Sequence, residues 1–209
     1  MRHAILPSIA VVLVAGCAPR ATPLRGEPAP ARLPSTELPP VHRQIGFLWT
    51  YADNDFRVKG EGAARVAPPD SVRLDFFVAN GMGGGRALLI GDDLSTPGAS
   101  NRVRDYLPPA PLLWAALGRL RVPAARDTTA RVDGDTLRVE IGSDPAWRAT
   151  FVGDDLRRLE LIDGGRVPQW MTREPDGHVR YQNDRARRRL DLTILRVDTL
   201  PAFDAAIWR

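Results

Sequence analysis

Along several short segments of the chain, apolar side chains alternate with polar ones, and glycine-aspartate pairs separate the segments. A period of two is that of a β-strand with one buried face, and glycine beside aspartate suits the positive φ angles of tight hairpins. Strands joined by such short turns are antiparallel neighbours, so residues 128–198 are predicted to form a meander. Its apolar positions are Leu137, Val139, Ile141, Trp147, Ala149, Phe151, Leu190, Leu192 and Ile194, and its turns are Asp133-Gly134, Gly153-Asp154-Asp155, Gly164-Gly165 and Asp176-Gly177.

The same alternation occurs earlier, and one segment interrupts it. SVRLDFFVA at residues 71–79 is predicted to be a strand. PPAPLLWAALGRLRVP at residues 108–123 has leucines and alanines at helical spacing after prolines that a first helical turn tolerates, and VHRQIGFLWTYA at residues 41–52 is predicted as a second, weaker helix. The predicted fold is mostly β with helices (α+β): a single curved antiparallel sheet that forms an incomplete β-barrel, covered by one or two helices.

The start of the chain has the order of a secretory signal. Arg2 and His3 precede the apolar or small run AILPSIAVVLVA, and small residues follow it. The run is too short to cross a bilayer, which takes roughly 20 apolar residues in a helix. Residues 1–16 are therefore predicted to be a signal peptide.

Val14-Ala15-Gly16-Cys17 closes this signal and resembles the lipobox of bacterial lipoproteins. The resemblance implies that Cys17 is lipid-modified, with diacylglycerol on its sulfur and a further acyl chain, such as palmitate, on its nitrogen. Several acyl chains make a stable anchor where one holds only marginally. The alternative is a secreted protein with a free thiol. Ala18 in place of an aspartate favours the outer membrane, with the protein facing the periplasm.

Residues 17–44, the lipidated cysteine and a segment with seven prolines, are predicted to be a spacer between the anchor and a folded domain at residues 45–209. A proline-rich chain is semi-rigid, at roughly 3.1 Å per residue, so it could reach up to ~80 Å. With the one cysteine used by lipid, no disulfide or thiolate site is expected, and the domain is stabilised by its core. We expect a monomer.

Composition and motifs argue against several classes of function. The net charge is +4, with arginines interleaved among acids, so no nucleic-acid partner is expected. RARRR at residues 185–189 is interpreted as a turn and strand entry. Glycines at residues 81–93 do not match a phosphate loop and indicate a hairpin. We expect no cofactor, no metal and no enzymatic activity, because the polar candidates lack the required partners: Asp92, Asp93, Asp154, Asp155, His42, His178, Ser95 and Ser100.

Residues 55–94 carry a family resemblance. The strand, proline turn, strand, glycine turn and strand there are similar to the opening of the LolA/LolB-like lipoprotein-carrier superfamily, whose pattern includes Phe-x-x-x-Gly before Pro-x-x-hydrophobic-Arg-hydrophobic-Asp. The lipobox makes the chain more similar to the membrane-anchored, LolB-like members, although no exposed apolar insertion loop is evident. The matching residues are Phe56, Gly60, Pro69, Val72, Arg73, Leu74 and Asp75.

The resemblance implies a half-barrel with an apolar cavity that accepts acyl chains of lipoproteins or other lipids. The competing interpretation is an interaction lipoprotein with a filled core, which docks another envelope protein. A cavity of several hundred cubic ångströms favours the first, and a filled interior the second. Trp147 illustrates the choice, since it packs in the core or lines the cavity. The candidate lining residues are Leu74, Phe76, Val78, Leu88, Ile90, Leu113, Leu117, Trp147, Phe151, Leu192 and Ile194.

Overall fold

The computed structural model describes residues 18–81, 83–98, 104 and 106–208. The predicted signal peptide and Cys17 lie outside these residues. The described part contains one thirteen-stranded sheet and the α-helix α1 (Ala110–Ala116). The strands are β1 (Glu27–Ala29), β2 (His42–Ala52), β3 (Arg57–Ala67), β4 (Ser71–Val78), β5 (Gly84–Ile90), β6 (Asp93–Ser95), β7 (Thr128–Asp133), β8 (Thr136–Ile141), β9 (Ala146–Val152), β10 (Asp155–Asp163), β11 (Arg166–Arg173), β12 (His178–Asn183) and β13 (Arg188–Leu200).

The predicted meander is confirmed. Strands β7 to β13 pair in chain order, β13 then pairs with β2, and β2 to β6 continue the sheet. All these pairs are antiparallel. Residues 185–189 form the β12–β13 turn and the start of β13, as predicted. Within the described residues, β1 and β6 are the two ends of the strand order and do not pair, so the barrel is open.

Alternating strand directions put the turns on two opposite rims of the sheet. The upper rim is the edge of the sheet that carries the β2–β3, β4–β5, β10–β11 and β12–β13 turns. The lower rim is the opposite edge, which carries the β3–β4, β5–β6, β9–β10 and β11–β12 turns. Positions of residues relative to these rims follow directly from the register.

Contacts of α1 show how strongly the sheet curves. The helix packs against β10, β11 and β12, yet the indole Nε1 of Trp114 donates to the carbonyl of Gly91, in the β5–β6 turn, at 2.8 Å. Just after the helix, Arg119 donates to the carbonyl of Pro69 and Arg121 pairs with Asp92. One short helix can touch strands six places apart in the sheet only because the sheet wraps around it.

Helical cover is smaller than predicted. The segment 108–123 contributes seven helical residues, which begin after Pro109 and end before a turn at Gly118 with φ of 83°. The second helix, predicted at residues 41–52, is wrong, because this segment is β2. Its buried side chains recur at every second position, which fills one face of a strand and would scatter around a helix. These side chains belong to Ile45, Phe47, Trp49 and Tyr51.

The proline-rich segment is not a free spacer in the structure. The N–H of Val167 donates to the carbonyl of Pro19 at 2.8 Å, and the N–H of Ala21 donates to Gly165 at 2.9 Å. Farther along, β1 pairs with β7 and Leu38 packs on the core. The scattered apolar side chains of this segment gain from burial against the sheet.

Candidate apolar binding site

The concave side of the sheet encloses a small apolar cavity beneath α1. Its volume is about 60 Å³, far below the roughly 300–1,000 Å³ of a typical ligand pocket. Every side chain around it is apolar, so the cavity offers a ligand shape and dispersion contacts and no hydrogen bonds. The lining residues are Ile45, Phe47, Ala64, Val72, Leu74, Phe76, Leu89, Leu113, Ala116, Leu117, Val179, Leu190, Leu192 and Ile194.

A second pocket continues this cavity toward the upper rim. Its volume is about 230 Å³. Phe76 and Leu190 line both spaces, so the two form one strip, which we call the hollow. Phe56, in the β2–β3 turn at the mouth, is 43% exposed. The lining residues of this outer part are Trp49, Tyr51, Phe56, Val58, Phe76, Val78, Gly84, Gly85, Tyr106, Leu107 and Leu190.

Two glycines of β3 make room for the aromatic rings of β2. Trp49 lies opposite Gly60, and Phe47 lies opposite Gly62. A Cβ at Gly62 would overlap the ring of Phe47, and a Cβ at Gly60 would overlap the carbonyl of Phe77. Glycine in a strand interior weakens the strand but permits such close approach. The rings therefore lie flat against β3 and form one wall of the hollow.

Two polar side chains at the mouth form hydrogen bonds within the protein. The Nε1 of Trp49 donates to the carbonyl of Glu61 at 2.8 Å, and the Tyr51 hydroxyl donates to Asp53 at 3.1 Å. Burial, followed by the hydrogen bond and charge of Asp53, raises the pKa of Tyr51, so its hydroxyl stays neutral at pH 7. Phe76 makes edge-on contacts with Phe47 and Trp49. The wall is therefore uncharged and apolar.

The structure distributes the predicted lining residues over several places. Six of the eleven line the inner cavity: Leu74, Phe76, Leu113, Leu117, Leu192 and Ile194. Val78 lines the outer pocket. Phe151 is fully buried in the core and Trp147 is half-buried against it, outside both spaces. Among the described tryptophans, Trp49 is the one that lines the hollow.

Leu88 and Ile90 are corrected, because they lie on the other face of β5. Leu89 pairs with Val72, which lines the inner cavity, and paired residues of neighbouring strands share a face. Leu88 and Ile90, one residue away on either side, therefore point outward, and Ile90 is 47% exposed. The run Ala87 to Ile90 is apolar throughout, so its sequence does not show which face is inside.

Sequence reasoning missed the contribution of β2 to the hollow. Ile45, Phe47, Trp49 and Tyr51 supply much of its wall, but a helix was predicted there. The recurrence of a large apolar residue at every second position from Ile45 to Tyr51, which only Leu48 obscures, is the signal that would have identified a strand.

The structure also places the polar candidates. His42, His178, Ser95 and Asp93 line neither part of the hollow. In the described ranges, no group of three or more His, Cys, Asp or Glu side chains is arranged to hold a metal ion. No helix of the described chain has the length and apolar character needed to cross a membrane.

Comparison with known proteins finds similarity at the level of structure. No protein-family model and no curated protein match the sequence. A LolA superfamily protein from Nitrosomonas europaea matches with a TM-score of 0.50 and 12% identity, over 83% of this chain and 92% of that protein. A DUF1329 family protein from Desulfovibrio piger matches with a TM-score of 0.49 and 9% identity, over 80% and 89%. A domain assigned to outer-membrane lipoprotein sorting, from Vibrio parahaemolyticus, matches with a TM-score of 0.49 and 4% identity, over 83% of this chain and 91% of that domain.

The likeness to the Nitrosomonas protein shows the fold. The chain has a LolA/LolB-like fold, as the resemblance of residues 55–94 predicted. Its version consists of one large open antiparallel sheet on which the seven-residue helix α1 packs.

Proposed function

We propose that this chain is a lipid-anchored envelope protein that binds acyl chains, of lipids or of lipoproteins, in the hollow. It acts without catalysing a reaction, as a carrier or acceptor on the periplasmic side of the outer membrane. The observation that carries the proposal is the pair of adjoining apolar spaces, the inner cavity and the open outer pocket, which share Phe76 and Leu190. An acyl chain needs a dry, shape-tolerant space with few polar groups, and this strip has that chemistry.

The attachment of the N-terminal segment supports the same function. Besides the two backbone hydrogen bonds of Pro19 and Ala21, the guanidinium of Arg166 donates to the carbonyl of Ala18 at 2.9 Å. Ala18 follows the proposed lipid site, Cys17, directly. A lipid there leaves the folded domain beside the β10–β11 turn, on the upper rim, where the hollow also opens. The mouth and the anchor thus share one side of the molecule.

The volume of the inner cavity favours a second candidate. About 60 Å³ is too little for an acyl chain unless α1 moves away from the sheet, and a nearly filled core is what a docking protein requires. In this alternative, the chain binds another envelope protein through its outer face or a sheet edge and carries no lipid cargo.

The two candidates are separated by measuring ligand binding. The protein used is the chain that starts at residue 17 and carries the substitution Cys17→Ser. This chain keeps every described residue and removes the anchor. We expect co-purified lipid in native mass spectrometry and binding of the uncharged apolar probe N-phenyl-1-naphthylamine. Val58→Glu, at the mouth of the hollow, should weaken probe binding at least tenfold.

Thr50→Glu is the matched control, since Thr50 lies on the adjacent strand but outside the hollow. It should leave probe binding unchanged. Absence of both lipid and probe binding would overturn the carrier function. Recovery of one stoichiometric protein partner without lipid, by crosslinking in cells, would establish the docking alternative.

A further inference from the structure

Two arginines lie on the concave face at the lower rim. Arg43 is two residues before Ile45 on β2, and Ile45 lines the inner cavity. Arg173 pairs with Val179, which also lines the cavity. Residues two apart on a strand, and residues paired across strands, share a face. Both guanidinium groups therefore belong to the same side of the sheet as the hollow.

The charge of Arg173 acts on Arg43 although β2 and β11 are three strands apart in the sheet. Burial, followed by the positive charge of Arg173, lowers the pKa of Arg43. The guanidinium of Arg173 lies 3.0 Å from the position that a Cβ would occupy on Gly118, at the end of α1. The curvature of the sheet thus brings Arg43 within electrostatic range of Arg173, which lies beside the helix end.

The described residues place no acidic partner on either arginine. Within the described ranges, no carboxylate forms a salt bridge with Arg43 or Arg173. The Nε atom of Arg43 is buried and has no hydrogen-bond partner in that part of the chain. Most of the other arginines in the described ranges form a salt bridge or a side-chain hydrogen bond. A buried donor without an acceptor is destabilising. An anionic oxygen would satisfy this donor with a charge-assisted hydrogen bond.

The lower rim next to Arg43 is exposed on the side of β13. β12 pairs with β13 only as far as Thr193. Beyond Thr193, β2 is the only described strand that pairs with β13. Val197, which pairs with Ile45 and so faces inward, is 52% exposed. Arg43 itself is half-buried, so a polar head group can reach it from solvent while its tail extends into the inner cavity, which must widen by movement of α1 to take an acyl chain.

We propose that Arg43 and Arg173 form a head-group site for a single anionic group, a carboxylate or a phosphate, of an amphiphile whose acyl chain fills the hollow. The inference rests on the proposed function, which it extends from acyl chains in general to anionic amphiphiles. Arginine donates several hydrogen bonds in a fixed plane, which suits both anions. The ligand lies with its head at the lower rim and its tail directed to the upper rim.

Displacement of N-phenyl-1-naphthylamine from the chain with Cys17→Ser tests the inference with three ligands of equal chain length. These are dodecanoate, dodecyl phosphate and the uncharged dodecanol. We expect the preferred anion to bind at least tenfold more tightly than dodecanol, the size of one charge-assisted hydrogen bond. The two anions distinguish a fatty acid from a phosphate-headed lipid.

Arg43→Gln and Arg173→Gln should each remove this preference without changing the affinity for dodecanol. Arg126→Gln, an exposed arginine in the loop before β7, is the control and should keep the preference. Thermal unfolding shows whether each variant is folded. Equal affinities of the original chain for anion and alcohol would overturn the head-group site and leave the acyl-binding function standing. Failure of all three ligands to bind would overturn both, and equal weakening of anion and alcohol by Arg43→Gln would assign Arg43 a packing role only.

Discussion

Asp75, on the convex face of β4, holds a cluster of three arginines. Its carboxylate accepts from Arg65 at 2.6 Å and from Arg73 at 2.8 Å, and Arg86 lies 3.6 Å away. The side chain of Asp75 is only 10% exposed. Burial acts to raise the pKa of Asp75, but the hydrogen bond and charge of Arg73, with the charges of Arg65 and Arg86, bring it below the usual value. The cluster ties β3, β4 and β5 together.

The lowered pKa of Asp75 predicts loss of stability in acid. A carboxyl whose pKa is lower in the folded chain stabilises the fold above its unfolded pKa, about 3.9 for aspartate. That contribution disappears as the pH falls through the folded pKa. We expect Asp75→Asn to lower the free energy of unfolding at pH 7 by about 3 kcal/mol, since it leaves three arginines unpaired.

Urea unfolding at pH 7 and at about pH 3 measures this contribution. The deficit of Asp75→Asn relative to the original chain should shrink at the lower pH. Asp93→Asn, in the exposed start of β6, should change the free energy by less than about 0.5 kcal/mol. An equal deficit at both pH values would show that the charge of Asp75 is not what stabilises the sheet.

Arg43 is expected to destabilise the ligand-free protein. Its buried Nε has no acceptor among the described residues, and a like charge lies nearby. Arg43→Met keeps the length of the side chain and should raise the free energy of unfolding by about 1 kcal/mol. Arg126→Met, in an exposed loop, should have no such effect. Thermal unfolding without ligand measures both, and a lower midpoint for Arg43→Met would contradict the assignment.

At the scale of elements, α1 determines how much space the sheet encloses. Leu113, Ala116 and Leu117 project from it into the inner cavity. Ala116→Leu adds apolar volume where about 60 Å³ is empty, and filling a void of this kind costs little in the ligand-free state. We expect this change to keep the unfolding free energy within about 1 kcal/mol and to weaken acyl-chain binding at least tenfold.

Isothermal titration with dodecanol measures the effect of Ala116→Leu. Ala202→Leu, exposed after β13, should leave the affinity unchanged. Unchanged affinity for Ala116→Leu would place the acyl chain in the outer pocket alone.

At the scale of the molecule, the proposed anchor orients the domain. The β10–β11 turn that holds residues 18–21 shares the upper rim with exposed Phe56 and with Phe77, which is 57% exposed at the end of β4. If Cys17 carries lipid, an introduced cysteine is the only free thiol, because the sequence has no other. An environment-sensitive dye on Phe77→Cys should therefore report an apolar environment when the lipidated full chain is placed in vesicles.

The same dye on Asp154→Cys, in the β9–β10 turn at the lower rim, should report water in the same vesicles. Arg166→Gln, which removes one contact to Ala18, should reduce the difference between the two sites. Equal emission from both positions in the original chain would contradict the orientation.

Local patterns predicted most of the strands, because a period of two and a glycine turn each depend on only a few neighbouring residues. The face of β5 was not predictable, since the four apolar residues Ala87 to Ile90 have no polar partners to reveal the outside. For β2, the mixture of polar and large apolar residues was interpreted with the wrong period. The four residues that β2 contributes to the hollow were therefore absent from the predicted site.

The sequence by itself determined that this chain forms antiparallel strands in a given order, because hydrophobic alternation and turn chemistry act over short distances. Only the tertiary structure decided that the proline-rich segment lies against the sheet, that the hollow is narrow beneath α1, and that Arg43 approaches Arg173. These features depend on how far the sheet curves. Curvature is the sum of twist, bulges and packing over all thirteen strands, and no single segment encodes it.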